Sequence, residues 1–91
     1  VDQNFVKNDD IHVNDAYFGK AYGYPTEAGI AALRMTAEKE GILLDPVYTS
    51  KAMSCVIDLI KTNTLNNAKD IVFLHTGGAP ALHPYAEYFK A

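Results

Sequence analysis

The sequence is short of the features that settle a protein's class at once. One cysteine, Cys55, in 91 residues excludes an internal disulfide framework and a cysteine cluster for zinc, and fits a reducing compartment such as the cytoplasm. Eight basic residues stand against 11 acidic ones, a formal net charge of −3, so nucleic acid finds no basic footprint. No apolar run approaches the ~20 residues of a membrane span. The opening residues, among them Asp2, Gln3, Asn4 and Lys7, do not follow the basic-then-apolar order of a signal peptide. With Val1 in place of an initiator Met, the chain is expected to be a piece of a longer protein. What it does have is hydrophobic residues, 48% against 21% charged, a globular composition.

Organisation follows from a few punctuation marks. Residues 1–21 form an extended lead-in whose one alternating patch, Ile11-His12-Val13, supports at most an edge strand. Tyr22-Gly23-Tyr24-Pro25 is a rigid aromatic turn, and Thr26 is placed to cap a helix that begins at Glu27 and ends at Gly41. Ile30, Leu33 and Ala37 give that helix one apolar stripe to lay on a sheet. Residues 42–44 read as a brief strand halted by Asp45-Pro46. Thr49 or Ser50 then caps a second helix, in which Met53, Val56, Ile57 and Ile60 mark the clearest amphipathic stripe of the chain. It ends near Thr62-Asn63, and Asn66-Asn67 makes a turn. Ile71-Val72-Phe73-Leu74 reads as a strand covered on both faces, as in a parallel sheet. Gly77 to Leu82 turns into a short closing helix around residues 85–89. Helix, strand, helix, strand predicts an α/β fold, helices packed on a parallel sheet. The two short strands leave the second helix's stripe partly uncovered.

Chemistry concentrates in two stiff polar turns at the ends of these strands, where an open α/β sheet places its ligands. In Thr76-Gly77-Gly78 a hydroxyl and free N–H groups suit a phosphate, a carboxylate or a ring nitrogen, though the same glycines also serve a plain tight turn. Tyr22, Tyr24 and Tyr48 lie in proline-stiffened turns, where their hydroxyls either reach a common pocket or their rings simply pack. Cys55 reads as a small core hydrophobe before a nucleophile. His12, His75 and His83 lack metal-ligand spacing, and His75 either orients Thr76 or is structural. Lys51, a cation at a helix N-terminus, points to an anionic neighbour or to solvent.

Three blocks carry a resemblance to a known family. They are Tyr22-Gly23-x-Pro25-Thr26, Glu40 to Met53 with the core Asp45-Pro46-Val47-Tyr48-Thr49-x-Lys51-Ala52-Met53, and His75-Thr76-Gly77-Gly78-Ala79-Pro80-Ala81-Leu82. Over residues 22–82 the chain resembles the C-terminal part of the D-cysteine desulfhydrase and 1-aminocyclopropane-1-carboxylate (ACC) deaminase family. The resemblance implies the tryptophan-synthase-β fold type, pyridoxal 5′-phosphate as cofactor, a small amino acid as substrate, and residues 22–91 as part of the cofactor-binding large domain. It also implies a homodimeric, cytoplasmic full-length protein that binds neither nucleic acid nor membrane. The cofactor-bearing lysine and the phosphate loop belong to the remainder of the parent chain, so this chain alone is expected to be inactive, and Lys51 is not that lysine.

By the same resemblance Tyr22 and Tyr48 are the catalytic candidates, with Thr49, Thr76 and Gly77 facing the cofactor ring. ACC deaminases carry glutamate where Thr49 stands and leucine where Thr76 stands; desulfhydrases carry small hydroxyl residues. A carboxylate beside the ring nitrogen favours its protonated form and a deeper electron sink, whereas a threonine donates to a neutral nitrogen. This implies a lyase that eliminates sulfide from D-cysteine. ACC deamination and a binding or interaction module without chemistry are the alternatives. Ser50 departs from the family, which has glycine there.

Overall fold

Thr26 opens the first helix as its spacing predicts. In the computed structural model, which describes residues 3–90, the Thr26 hydroxyl accepts from the Gly29 N–H at 2.9 Å and α1 runs Glu27–Glu40. Gly41 ends it in the left-handed region at φ 67°, a conformation that costs glycine little. The second helix, α2, spans Thr49–Lys61 and stops at Thr62. Short 3-10 turns at Asn8–Asp10, Ala79–Leu82 and Ala86–Phe89 complete the regular structure.

α1 and α2 pack on one another, and small residues set how closely. A side chain at Gly29 would lie 3.2 Å from the Ser50 hydroxyl and 3.6 Å from the Lys51 N–H, so the first turns of both helices meet there. Ala32, Met35, Ser54 and Ile57 share a groove further along, and the helices advance in the same direction. This contact corrects the stripe expected for α1. The buried residues are Gly29, Ala32 and Leu33, while Ile30 and Ala37 are half-buried. Close helix contact rewards the small side chains over the larger ones.

The sheet is the larger correction. Among the described residues no strand forms, and the expected strands at 11–13, 42–44 and 71–74 are irregular. Val72 is 91% exposed and Leu74 79%, where a strand covered on both faces was expected. A strand's backbone needs partners on its edges, and a two-stranded pairing is marginal by itself. The two segments nonetheless lie near one another. His75 Nε2 contacts the Leu43 carbonyl at 2.8 Å, and a Cβ at Gly78 would fall 2.8 Å from that of Asp45, so 43–45 and 75–78 advance side by side.

Much apolar surface is left bare. Ile60 is 50% exposed, and Met53, Val56 and Ile57 of the same stripe are only half-buried. A cleft of about 330 Å³ opens between Met35, Ile42, Leu44, Met53, Ile57 and Phe73. The accessible surface is 7276 Å², against about 5,200 Å² for a compact chain of this mass. The isolated chain is therefore expected to self-associate or to bind a hydrophobic dye. Sedimentation of a monomer with sharp cooperative unfolding and no dye fluorescence would contradict this.

Candidate active-site wall

Asp45 organises the turn between the two helices. It is 2% exposed, and its carboxylate gathers four donors: Val47 N–H at 2.8 Å and Tyr48 N–H at 2.6 Å on one oxygen, Thr49 N–H at 2.8 Å and the Thr49 hydroxyl at 2.6 Å on the other. The Thr49 hydroxyl in turn accepts from the Asp45 N–H at 2.8 Å, and the Ser50 N–H bonds the Asp45 carbonyl at 3.1 Å. Neither Thr49 nor Ser50 caps α2, as the sequence had led us to expect. Tyr48 occupies the cap position without a side-chain cap, and the Asp45 carboxylate collects the free N–H groups instead. By local pattern alone Asp45 is a strand stop. The signal was present in Asp45-Pro46-x-x-Thr49, an acidic residue held by proline just before a helix start.

Burial pushes the Asp45 carboxyl upward, but the hydrogen bonds from Thr49, Tyr48 and Val47 together outweigh it and hold the group below its usual range. The positive end of α2 acts in the same sense.

This turn sends consecutive side chains in opposite directions. Thr49 faces inward and is buried, its hydroxyl hydrogen taken by Asp45, so as it stands it offers no proton to a ring nitrogen. Tyr48 faces outward. Its hydroxyl lies 2.6 Å from that of Tyr22, with the two rings edge to face at 5.9 Å between centroids and 61° between planes. The structure thus brings together the two tyrosines singled out from sequence. The bond to Tyr22 is the main reason the Tyr48 phenol is held above its ordinary value, with burial and nearby charges adding. Tyr24 instead sits under the Lys20 ammonium, 5.0 Å from its ring centroid.

The second turn reaches the same place from the other side. Gly78, at φ 101°, packs on the Asp45 side chain with no room for a Cβ. Thr76 and Gly77 are exposed beside it, and a Cβ at Gly77 would meet nothing within 4 Å. His75 is structural here: Nδ1 accepts from the Gly77 N–H at 3.0 Å, which leaves Nε2 to donate to Leu43. Among the described residues Lys51 meets no anion, and it is shielded from solvent. It is buried and donates to the Phe18 carbonyl at 2.7 Å. Cys55 is half-buried, and burial, then the charge of Asp58, push its thiol up, away from nucleophilic character. Among the described residues no group of three or more His, Cys, Asp or Glu is placed to hold a metal ion.

Two helices carry their polar turns together at one end and leave bare apolar surface elsewhere. No family model matches the chain. Among curated proteins it is similar to the D-cysteine desulfhydrases of Salmonella newport (strain SL254) and Salmonella heidelberg (strain SL476). Each is 53% identical over 76 residues, a stretch that covers 84% of this chain and 23% of the relative. The chain therefore spans about a quarter of the length of these relatives and is similar to one segment of them.

Replacing Asp45 with alanine should cost about 2–4 kcal/mol, through four lost hydrogen bonds and an uncapped α2. Because its folded carboxyl titrates below the unfolded value of about 3.9, its contribution is present above that pH and is lost as pH falls through the lower, folded value. Urea midpoints measured from pH 5 down to pH 2 should fall for the natural chain. An Asp45→Asn variant should lack that component.

Proposed function

We propose that this chain is part of a pyridoxal-phosphate-dependent β-eliminating lyase and forms one wall of its active site. D-cysteine is the substrate, and pyruvate, sulfide and ammonia are the products. The observation that carries this reading is the Tyr22–Tyr48 hydroxyl pair, projected by the Asp45 turn, in a chain whose relatives are named D-cysteine desulfhydrase. Residues 22–91 belong to the cofactor-binding domain on this reading, and residues 1–21 are its lead-in. The lysine that takes the Cα proton lies elsewhere in the parent, so this chain alone is inactive.

The residues present fit the cofactor at one edge. Pyridoxal phosphate, when bound, supplies the electron sink that stabilises negative charge at Cα. Thr76 and Gly77 stand exposed at a turn with open space beside it and would meet the ring edge. Thr49 joins them only by exchanging Asp45 for the ring as the acceptor of its hydroxyl. Otherwise it serves the site by holding the turn.

Of the two hydroxyl hydrogens in the tyrosine pair, one bridges the oxygens and the other is free to donate outward. Tyr48, its phenol held high, stays protonated through neutral pH. It enters the reaction as a donor that orients the substrate through its carboxylate or meets charge developing on the departing sulfur.

The test is turnover by the full-length protein. Sulfide and pyruvate should appear from D-cysteine, with no 2-oxobutanoate from ACC. Turnover of ACC alone would favour the deaminase, and a protein that neither holds the cofactor nor turns over either compound would favour a binding module. Changing Thr49 to Glu and Thr76 to Leu together should lower D-cysteine elimination by about 2–4 kcal/mol of barrier, roughly thirty- to a thousand-fold. Thr76→Leu isolates the ring-edge part, because a glutamate at position 49 also repels the Asp45 carboxylate. An unchanged rate in both would remove these threonines from the site.

A further inference from the structure

The loop that carries Tyr22, residues 16–26, holds no regular element and depends on outside anchors. Two tie its beginning to α2: the Tyr17 hydroxyl donates to Asp58 at 3.0 Å, and the buried Lys51 ammonium donates to the Phe18 carbonyl. A third comes from the other end of the chain. The Tyr85 hydroxyl donates to the Gly23 carbonyl at 2.8 Å, across 62 positions of sequence. Gly23 adjoins Tyr22, and a Cβ there would lie 3.5 Å from the Tyr85 hydroxyl, so the phenol sits directly against this backbone. Tyr85 is itself half-buried and its ring packs against Tyr88, with 5.7 Å between centroids.

We propose that Tyr85 is a positioning residue for the tyrosine pair: by holding the Gly23 carbonyl it fixes the peptide between Gly23 and Tyr24, one residue beyond Tyr22, and so keeps the Tyr22 hydroxyl against that of Tyr48. The lever is long. A tyrosine hydroxyl stands at the far end of its side chain, so a small rotation of the backbone about Gly23 displaces it by more than the backbone moves. Tyr85 also follows the Thr76-Gly77-Gly78 turn in sequence. The bond from its hydroxyl therefore ties the segment that leads away from the ring-edge turn to the loop that bears the substrate-facing tyrosine. The proposal rests on the functional reading above only in taking the pair to face substrate. Burial does little to hold Tyr22, which is 80% exposed; its side chain is steadied by the Tyr48 contact.

The test compares Tyr85→Phe with the natural residue in the full-length protein, because phenylalanine keeps the ring packing on Tyr88 and removes only the donor. With ring-labelled tyrosine at neutral pH, the inter-ring cross-peaks between Tyr22 and Tyr48 should weaken, and the Tyr48 ring shifts should move towards those of free tyrosine. The kcat for D-cysteine should fall about ten- to a hundred-fold, as misplacement of a site group does, with a smaller change in KM. Undiminished cross-peaks and an unchanged kcat would overturn the proposal. The unaltered protein gives a check that needs no variant: cross-peaks between the Tyr85 ring and the Gly23 backbone protons should be present, and their absence overturns it too. Ring signals decide the positioning whether or not D-cysteine is turned over, so a failed assay with the expected ring signature counts against the function and not against Tyr85.

Discussion

A buried carboxylate is the constraint on which the candidate site depends. Asp45 is placed where burial alone would neutralise it, yet four donors and the start of α2 keep it ionised. Three of those donors are backbone N–H groups, so the charge dictates the path of residues 47–49 and not merely their neighbourhood. That path turns Tyr48 out to Tyr22 and Thr49 in, and it gives the Gly78 backbone a surface to close against. A glycine at position 78 is required by both its positive φ and the absence of room for a side chain.

The helix pair supplies the platform. Gly29 of α1 lets the first turn of α2 approach, and Ser50 lies in that contact with its hydroxyl buried. The departure from glycine at position 50 thus places a buried polar atom where the first turns of the two helices meet. Away from this contact the chain behaves as a segment should. The stripe of α2 and residues 71–74 present apolar side chains with little to cover them, in keeping with a chain that spans 23% of its relatives.

The sequence was most legible where local chemistry decides structure. Thr26 and Gly41 bound α1 because a hydroxyl acceptor and a left-handed residue are local requirements. The tyrosines of the two stiff turns could be singled out, and the family resemblance was specific enough to be matched by relatives 53% identical. Long-range partners were not legible. Residues 71–74 have strand-forming side chains, but a strand is a property of its neighbours. The inward turn of Thr49 follows from Asp45, four residues away, and periodicity gives no sign of it. Lys51 was read against the helix dipole alone, whereas the Phe18 carbonyl, 33 residues earlier, decides its place.

The most direct measurement follows the side-chain carboxyl carbon of Asp45 by NMR as pH is lowered, together with the amide signals of Val47, Tyr48 and Thr49. If this carboxylate holds the turn, its midpoint lies below that of an ordinary aspartate and the three amides shift with it at the same pH. A midpoint at or above the ordinary value, with the amides unmoved, would show that the turn stands without Asp45 and would contradict the account.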